Sequence, residues 1–254
     1  MISVIIPAYE KTNEVLTCIN SLRAYADNPY ETIVQDDSSP SVNLCAVIPP
    51  EVASTERNET NQGFAGNCNR GATRAHLPIL LFLNQDVFAV EQFSRGWDTA
   101  IIRAFDNPQV GAVGARLLFP DGAVQSAGGH VDGACQPVHR CLGWRNLNHP
   151  DIAEPRDVTW ATGAALAVRK DVFERLGGFD TRYERGYWED CDLCWRIREA
   201  GYTIRYEPRA TFVHVVGTTG GSPFFVQNAR RFKAQWVDTG KVQPEVWGVS
   251  ARYW

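Results

Sequence analysis

The sequence lacks the features that mark several broad classes of protein. Its 25 lysines and arginines are outnumbered by 29 aspartates and glutamates, so it has no excess of the basic charge that a nucleic-acid-binding surface needs. No apolar run is long enough to cross a bilayer. The apolar residues 2–6 follow Met1 directly, without the basic stretch of a signal peptide. From these absences we expect a cytoplasmic protein that binds no nucleic acid.

Cysteine is present, but not in the arrangement of a disulfide or zinc framework. The seven cysteines are an odd number without framework spacing, which fits reduced thiols. Cys191 and Cys194 form one CxxC, but no second CxxC accompanies it, and the residues between them follow a helical pattern. We interpret the pair as part of a helix rather than as a zinc or redox site.

Strand-like and helix-like segments alternate through the first half of the chain. The strands are predicted at residues 2–6, 32–34, 79–83 and, as a further candidate, 51–56. The helices are predicted at residues 12–26, 64–76 and 91–105. This alternation predicts an α/β fold with a parallel sheet covered on both faces. Such sheets bind ligands beyond the carboxyl ends of their strands.

The second half of the chain is less regular. Strands are predicted at residues 110–119, 158–168, 204–206 and 212–214, and helices at residues 189–200 and 224–236. We expect one domain over residues 1–240, with a nucleotide-binding half at 1–110 and an acceptor-side half at 111–240. Residues 241–254 are predicted to be a surface tail, in which Trp247 and Trp254 have no assigned role.

Asn84, Gln85 and Asp86 directly follow the apolar strand at residues 79–83. A carboxylate at the carboxyl end of a buried strand is well placed to bind a divalent cation that bridges the phosphates of a nucleotide. Asn and Asp also favour turns. From these three residues alone, the metal site and the turn are equally good interpretations.

Asp36 and Asp37 follow the second predicted strand. Carboxylates there can accept hydrogen bonds from a nucleoside, but Asp37 or Ser38 can equally cap the next helix. The sequence leaves both alternatives open.

Three acidic residues, Glu189, Asp190 and Asp192, lie at the start of a predicted helix, directly after Tyr187 and Trp188. The helix dipole alone would favour them. Two aromatic residues also suit the wall of a sugar pocket, where a carboxylate can take a proton from an attacking hydroxyl. Asp192 and Arg196 are four residues apart, so we expect an ordinary helix ion pair. His214 ends a short apolar strand, where a histidine is more often structural than a ligand.

The order of these motifs resembles the family 2 glycosyltransferases of the GT-A fold, and within them the bacterial rhamnosyltransferase-like branch. The resemblance covers residues 2–216 and rests on VIIPAY (4–9), IVQDDSS (33–39), NQGFAGNCNRG (61–71), LNQD (83–86), TGAAL (162–166), GGFD (177–180), WED (188–190) and His214.

The resemblance implies a Rossmann-like, mostly parallel central sheet and a role for each matched position. Asn84 to Asp86 stand at the DxD motif, so Asp86, helped by His214, would bind Mn²⁺ or Mg²⁺. Asp190 would be the general base, and Trp188 and Glu189 would shape the acceptor site. The nucleotide-sugar would be bound by Pro7, Ala8, Tyr9, Glu10, Asp36, Asp37, Gly63, Phe64, Asn84, Gln85 and Asp86.

The expected reaction is an inverting transfer from a nucleoside-diphosphate sugar, with dTDP-rhamnose as the best candidate, to a hydroxyl of a glycan or glycolipid in bacterial surface polysaccharide synthesis. Peripheral membrane contact is expected through the basic residues Arg230, Arg231 and Lys233. Two alternatives stay open. A catalytically silent carbohydrate-binding module would not need Asp37, Asp86 and Asp190 together. A sugar nucleotidylyltransferase would carry a glycine-rich basic loop after the first strand, where this chain has Pro7 to Glu10.

Overall fold

The computed structural model describes residues 1–215 and 223–245. Its first half alternates strand and helix, as the sequence predicts. The strands are β1 (Ile2–Ala8), β2 (Glu31–Asp36), β3 (Ser54–Arg57), β4 (Ile79–Leu83) and β5 (Val87–Phe88). The helices are α1 (Thr12–Tyr25), α2 (Leu44–Val47), α3 (Gly63–Ala72), α4 (Glu91–Ser94) and α5 (Trp97–Ala104).

The centre of the sheet is parallel and buried on both faces. β1 lies between β2 and β4, with Ile5 opposite Ile33 on one side and Phe82 on the other. Successive side chains of a strand point to opposite faces. Val4 and Ile6 accordingly enter the core under α1 and α5, whereas Ile5 enters the core on the α3 side. The sheet therefore presents its carboxyl edge, rather than a face, to solvent.

The second half extends the same sheet with strands of mixed direction. Its strands are β6 (Val110–Leu118), β7 (Val124–Ser126), β8 (Gly129–Val131), β9 (Pro137–His139), β10 (Arg156–Val158), β11 (Ala165–Arg169) and β12 (Thr203–His214). Its helices are α6 (Pro150–Ala153), α7 (Lys170–Arg175), α8 (Glu189–Glu199) and α9 (Phe225–Phe232), followed by a π-helical turn at Lys233–Val237.

Antiparallel β11 joins the two halves, because it pairs with both β4 and β6. The main path of the sheet runs β10-β12-β6-β11-β4-β1-β2-β3, with β5 and β7 attached to β12 and β6. β8 and β9 form a separate hairpin. β12 ends at His214, which pairs with Val87 directly after Asp86. This pairing brings the last predicted site residue back to the edge formed by the first half.

Several predicted elements differ from those observed. The helix predicted at residues 91–105 is divided into α4 and α5, because Gly96 adopts a left-handed conformation with φ 68°. The strand predicted at residues 158–168 is two strands, β10 and β11, separated by a segment that lines a cleft. The two short strands predicted within residues 204–214 are one strand, β12, with an irregular register between Glu207 and Thr211.

The predicted surface tail begins as a packed segment. Val242 is 3% exposed, and the Glu245 N–H donates to the Val131 carbonyl at 3.1 Å, which ties residues 241–245 to the hairpin. Trp247 and Trp254 lie outside the described residues. Within the described ranges, no helix combines the length and the apolar character needed to cross a membrane.

Candidate active site

One cleft of about 810 Å³ opens where β1, β2 and β4 end. It gathers residues from both halves of the chain, separated by up to about 220 positions in the sequence. Most of the predicted site residues line it: Pro7, Ala8, Tyr9, Asp37, Gly63, Phe64, Asn84, Gln85, Asp86, Trp188, Glu189, Asp190 and His214.

Two predicted nucleotide contacts, Glu10 and Asp36, are not among the lining residues. The Glu10 carboxylate accepts hydrogen bonds from Ser41, at 2.8 Å from its N–H. Asp36 is buried and forms an ion pair with Arg57 at 2.7 Å. Asp36 does not line the cleft because side chains alternate in direction along a strand. Asp36 is the last residue of β2, and its side chain points away from that of Asp37. Both residues hold the loop behind the cleft rather than its wall.

Asp37 does not cap the next helix along the chain, because the N-cap of α2 is Asn43. Its carboxylate accepts the Gln62 N–H at 2.7 Å and the Gly63 N–H at 3.0 Å, so it caps the amino end of α3. It also accepts from the Asn58 side chain at 2.8 Å and still lines the cleft. Burial raises the pKa of Asp37, and these hydrogen bonds oppose the rise. The carboxylate is therefore held rigidly at the cleft wall.

Gln85 fixes the edge of the sheet on which Asp86 stands. The Tyr9 N–H donates to Gln85 Oε1 at 2.8 Å, and Gln85 Nε2 donates to the Tyr9 carbonyl at 3.1 Å. The Val87 N–H donates to the Asn84 carbonyl at 3.1 Å, so these residues also form the turn that is the alternative interpretation. The turn and the amide pair together direct Asp86 into the cleft.

Asp86 and His214 face each other across that turn. Asp86 Oδ1 lies 3.2 Å from His214 Nε2, and His214 Nδ1 lies 2.7 Å from Gln125 Oε1. With Nδ1 donating to Gln125, Nε2 would offer its lone pair to a cation bound between His214 and Asp86. Two neighbouring ligands of an octahedral ion with bonds of about 2.1 Å lie about 3 Å apart, so this pair fits one divalent cation.

The protein would supply only part of the coordination shell. In the described part of the chain, no three His, Cys, Asp or Glu side chains converge as a metal site. An ion such as Mg²⁺ is often bound by one or two carboxylates together with substrate phosphates. The pair therefore fits an ion that binds with a phosphorylated ligand better than a structural metal.

Asp190 lies on the other side of the cleft, at the start of α8. Its carboxylate accepts the Gly163 N–H at 2.9 Å and the Cys191 N–H at 2.8 Å. The preceding loop is strained, since Tyr187 and Trp188 both have positive φ, 73° and 78°. Such conformations cost free energy and occur often at functional sites. The loop fixes Asp190 at the cleft wall, where a proton-accepting group is useful.

The family model described as "Glycosyl transferase family 2" matches residues 3–177, more than half of the chain. The chain belongs to glycosyltransferase family 2. The matched range includes Asp37 and Asp86, whereas Asp190 and His214 lie beyond it.

Curated relatives of this family member are larger proteins. It is 28% identical to the O-antigen biosynthesis protein RfbC of Myxococcus xanthus over 84% of this chain and 17% of that protein. It is 34% identical to the N-acetylglucosaminyl-diphospho-decaprenol L-rhamnosyltransferase of Mycobacterium tuberculosis over 46% of this chain and 41% of that protein. The chain thus spans less than half the length of these relatives.

Solved glycosyltransferase structures share the fold. A crystal structure of GalNAc-T7 with UDP, GalNAc and Mn²⁺ superposes with a TM-score of 0.74 and 18% identity, over 94% of this chain and 48% of that one. The mannosyltransferase PcManGT of Pyrobaculum calidifontis, in complex with GDP-Man and Mn²⁺, gives 0.64 and 19%, over 95% and 65%. The predicted GT-A fold, with its mostly parallel central sheet and flanking helices, is confirmed.

Trp188 and Glu189, the predicted acceptor contacts, differ in environment. The Trp188 ring packs against Phe225 and Phe232, with centroids 5.9 and 5.2 Å away, so α9 supports this wall of the cleft. Glu189 is 5% exposed, and its Oε2 has no hydrogen-bond partner among the described residues. Burial, and then the charge of Asp190, raises the pKa of Glu189 well above its ordinary value. Burial therefore favours the protonated form of Glu189, which can donate a hydrogen bond.

Replacing Glu189 by glutamine is expected to flatten the pH dependence of stability. The folded state keeps a proton that the unfolded chain releases near pH 4.5. The contribution of Glu189 is therefore complete below that pH and falls as pH rises toward the folded pKa. Glu189→Gln keeps the shape of the neutral acid, so its Tm should exceed that of the parent increasingly from pH 5 to 8.

Thermal unfolding of both proteins from pH 4 to 8 measures this difference, with the exposed Glu154→Gln as the control. A Tm difference that stays constant across the range would show that Glu189 is ionised in the folded protein.

Asp192 forms the predicted pair with Arg196, at 2.7 Å, but not as a surface pair. Its side chain is fully buried. It also accepts from Trp236 Nε1 and Gln235 Nε2, both at 2.9 Å. Asp192 therefore joins α8 to the π-helical turn at Lys233–Val237, and we expect its removal to cost far more than the loss of an exposed helix pair.

Asp192→Asn is expected to destabilise the fold by on the order of 3 kcal/mol, because it leaves Arg196 without its charge partner in a buried network. For a chain of this size that corresponds to a Tm lower by roughly 6–12 °C. The control is Asp157→Asn, which removes an ion pair with Arg205 in which Asp157 is 53% exposed and should change Tm little. Equal Tm values for the two variants would contradict a structural role of Asp192.

Sequence reasoning missed several residues of the cleft wall, among them Gln125, His139 and Arg185. Arg185 lies against Gly63, whose missing side chain would approach the Arg185 backbone N to 3.0 Å, and its charge favours the ionised form of Asp37. Gln125 and His139 come from β7 and β9. A glutamine or histidine in a short strand carries no sequence signal of its own, so only the assembled fold identifies them.

Proposed function

We propose that the chain is a metal-dependent, inverting glycosyltransferase that transfers a sugar from a nucleoside-diphosphate donor to a hydroxyl of a glycan or glycolipid. One observation carries the proposal. A pair fitted to a divalent cation, Asp86 with His214, and a separate carboxylate, Asp190, line the same cleft. The nucleotide half of that cleft is formed by Pro7, Ala8, Tyr9 and the rigid carboxylate of Asp37.

The proposed step is a single displacement at the anomeric carbon. Asp190 takes the proton of the acceptor hydroxyl, whose oxygen forms the new bond to that carbon. The bond from the same carbon to the phosphate oxygen breaks, and its electron pair leaves with the nucleoside diphosphate. Mn²⁺ or Mg²⁺ held by Asp86 and His214 would supply charge neutralisation to the diphosphate. Neutral Glu189 beside the base can donate a hydrogen bond to the acceptor.

The best donor candidate is dTDP-rhamnose. The LNQD sequence at residues 83–86 supports it, as does the named activity of the mycobacterial rhamnosyltransferase relative. The name of RfbC supports a role in bacterial surface polysaccharide synthesis. The structural neighbours with UDP or GDP-Man make UDP-hexoses and GDP-mannose the comparison donors.

A lipid-linked acceptor would be met at the cytoplasmic face of the membrane through α9. Phe225 and Val226 are exposed there, next to the basic cluster. Lys233 is partly neutralised by its ion pair with Asp238. The remaining charge of Arg230 and Arg231 supports reversible attachment only, since each basic residue near an anionic leaflet contributes about 1 kcal/mol.

The test is a screen of nucleotide-sugars with and without Mn²⁺, first for thermal stabilisation and then for turnover. A ligand at 100 times its Kd adds about 2.7 kcal/mol of stability, so the correct donor should raise Tm only with the metal. Transfer or slow donor hydrolysis separates an enzyme from a silent binding module. Turnover with UDP-hexoses alone would remove dTDP-rhamnose. Binding without any turnover would favour the module.

A further inference from the structure

The β8–β9 hairpin brings His139 to the wall of the cleft, on the acceptor-side half of the chain. Its ring packs on Trp160, with centroids 4.9 Å apart. Trp160 is held by a hydrogen bond from Nε1 to the His130 carbonyl at 3.1 Å. Trp160 also fills the space beside Gly129, where a side-chain carbon would approach its ring to 2.1 Å. The position of His139 is therefore set by close packing.

The hydrogen bonds around His139 favour one tautomer. The Ser126 hydroxyl donates to the Gly128 carbonyl at 3.3 Å, which leaves its oxygen as an acceptor for His139 Nδ1, 3.1 Å away. Burial lowers the pKa of His139; the charge of Asp190 opposes this shift and His214 adds to it. A neutral ring with its proton on Nδ1 carries a lone pair on Nε2.

The Nε2 lone pair of a neutral ring can only accept a hydrogen bond. An ionised diphosphate has no proton to donate to it, whereas a sugar hydroxyl does. The residues whose charges act on His139 are Asp190 and His214, which belong to the transfer end of the cleft. The nucleotide end is built by β1, β2 and the start of α3.

We propose that His139 is an acceptor-binding residue, whose Nε2 accepts a hydrogen bond from a second hydroxyl of the acceptor sugar while Asp190 takes the proton from the reacting one. The acceptor sugar is thus held at two hydroxyl groups, which fixes the one that reacts. This inference rests on the proposed glycosyl transfer. The transferred sugar is the alternative occupant, and the experiment below separates the two.

The experiment compares His139→Phe with His139→Gln. Phenylalanine keeps a ring that can pack on Trp160 but has no acceptor, whereas glutamine reaches to about the same depth with an amide oxygen. The parent is first given a panel of octyl glycosides with dTDP-rhamnose, UDP-glucose and GDP-mannose. Kinetics are then measured with the best pair, alongside donor Kd and donor hydrolysis, in which water replaces the acceptor.

His139→Phe should raise the acceptor KM by roughly 10-fold, the loss of one neutral hydrogen bond, with donor Kd and donor hydrolysis within about two-fold of the parent. His139→Gln should recover most of the loss. Unchanged acceptor kinetics in His139→Phe, or no recovery in His139→Gln, would overturn the inference. A parallel loss of donor affinity and hydrolysis would assign His139 to the transferred sugar instead. A parent that transfers to no glycoside and hydrolyses no donor would refute the proposed function itself.

Discussion

Asp190→Asn is expected to remove nearly all glycosyl transfer while leaving donor affinity almost intact. The amide keeps the size of the carboxylate and one oxygen for the Gly163 N–H, but it cannot accept the acceptor proton. A positioned general base contributes about 10²–10⁴-fold to rate, so kcat should fall by that factor. The measurement is steady-state kinetics combined with donor titration. A loss confined to kcat indicates that the substitution removed an interaction made only in the transition state.

The structural cost of this change is small enough to separate from its catalytic effect. Asp190→Asn loses one hydrogen bond, that from the Cys191 N–H, because the amide nitrogen cannot accept it, at a cost of about 1–3 kcal/mol. Asp192→Asn is the informative comparison, because it removes a charge two residues away and should lower Tm while the folded fraction keeps its kcat. Near-normal turnover in Asp190→Asn, or a greater loss of kcat in Asp192→Asn, would show that Asp190 is not the base.

The parts of the fold that the sequence predicts well are those set by local pattern. β4 matches its predicted bounds, and the start of α1 and the parallel centre of the sheet agree too. They follow from apolar periodicity, which the buried faces impose directly. Gly96 shows the limit of that pattern. Apolar spacing continues through residues 91–105, and the helix is divided by the extended backbone of Arg95 together with the left-handed backbone of Gly96.

The sequence predicts the cleft residues that directly follow a strand. It predicts less well which of two nearby side chains faces the cleft. Asp36 and Asp37 are adjacent and chemically identical, yet only Asp37 lines the cleft; the side chain of Asp36 points the other way, where it pairs with Arg57 on the neighbouring strand. Asp190 and Asp192 diverge in the same way, since Trp236 and Gln235 draw Asp192 into the core. These choices depend on partners 21 to 44 residues away, which local patterns do not encode.

Gln125 illustrates a further class, residues that act on the site through another side chain. It orients the His214 ring at 2.7 Å and so directs Nε2 toward Asp86. Outer partners of metal ligands typically affect metal affinity by 10–100-fold. Replacing a metal ligand should therefore weaken metal binding more than replacing the residue that supports it. A graded series of variants thus tests the metal assignment.

Asp86→Ala is expected to lose the divalent-dependent part of donor binding while the protein remains folded. Calorimetric titration of dTDP or UDP in Mn²⁺ and in EDTA measures that part as the ratio of the two affinities. The ratio should fall by at least about 100-fold in Asp86→Ala and by about 10–100-fold in Gln125→Leu, which keeps both ligands but removes the support of His214. Asp121→Ala deletes an exposed carboxylate paired with Arg145 and should leave the ratio unchanged. The affinity measured in EDTA should be similar in all four proteins, because Asp37 and the β1 end are untouched.

An Asp86→Ala protein with the Mn²⁺-dependent affinity of the parent would place the cation elsewhere. A parent without any Mn²⁺ dependence would instead mean that the diphosphate is neutralised by protein side chains, with Arg185 in the cleft wall as the first to replace.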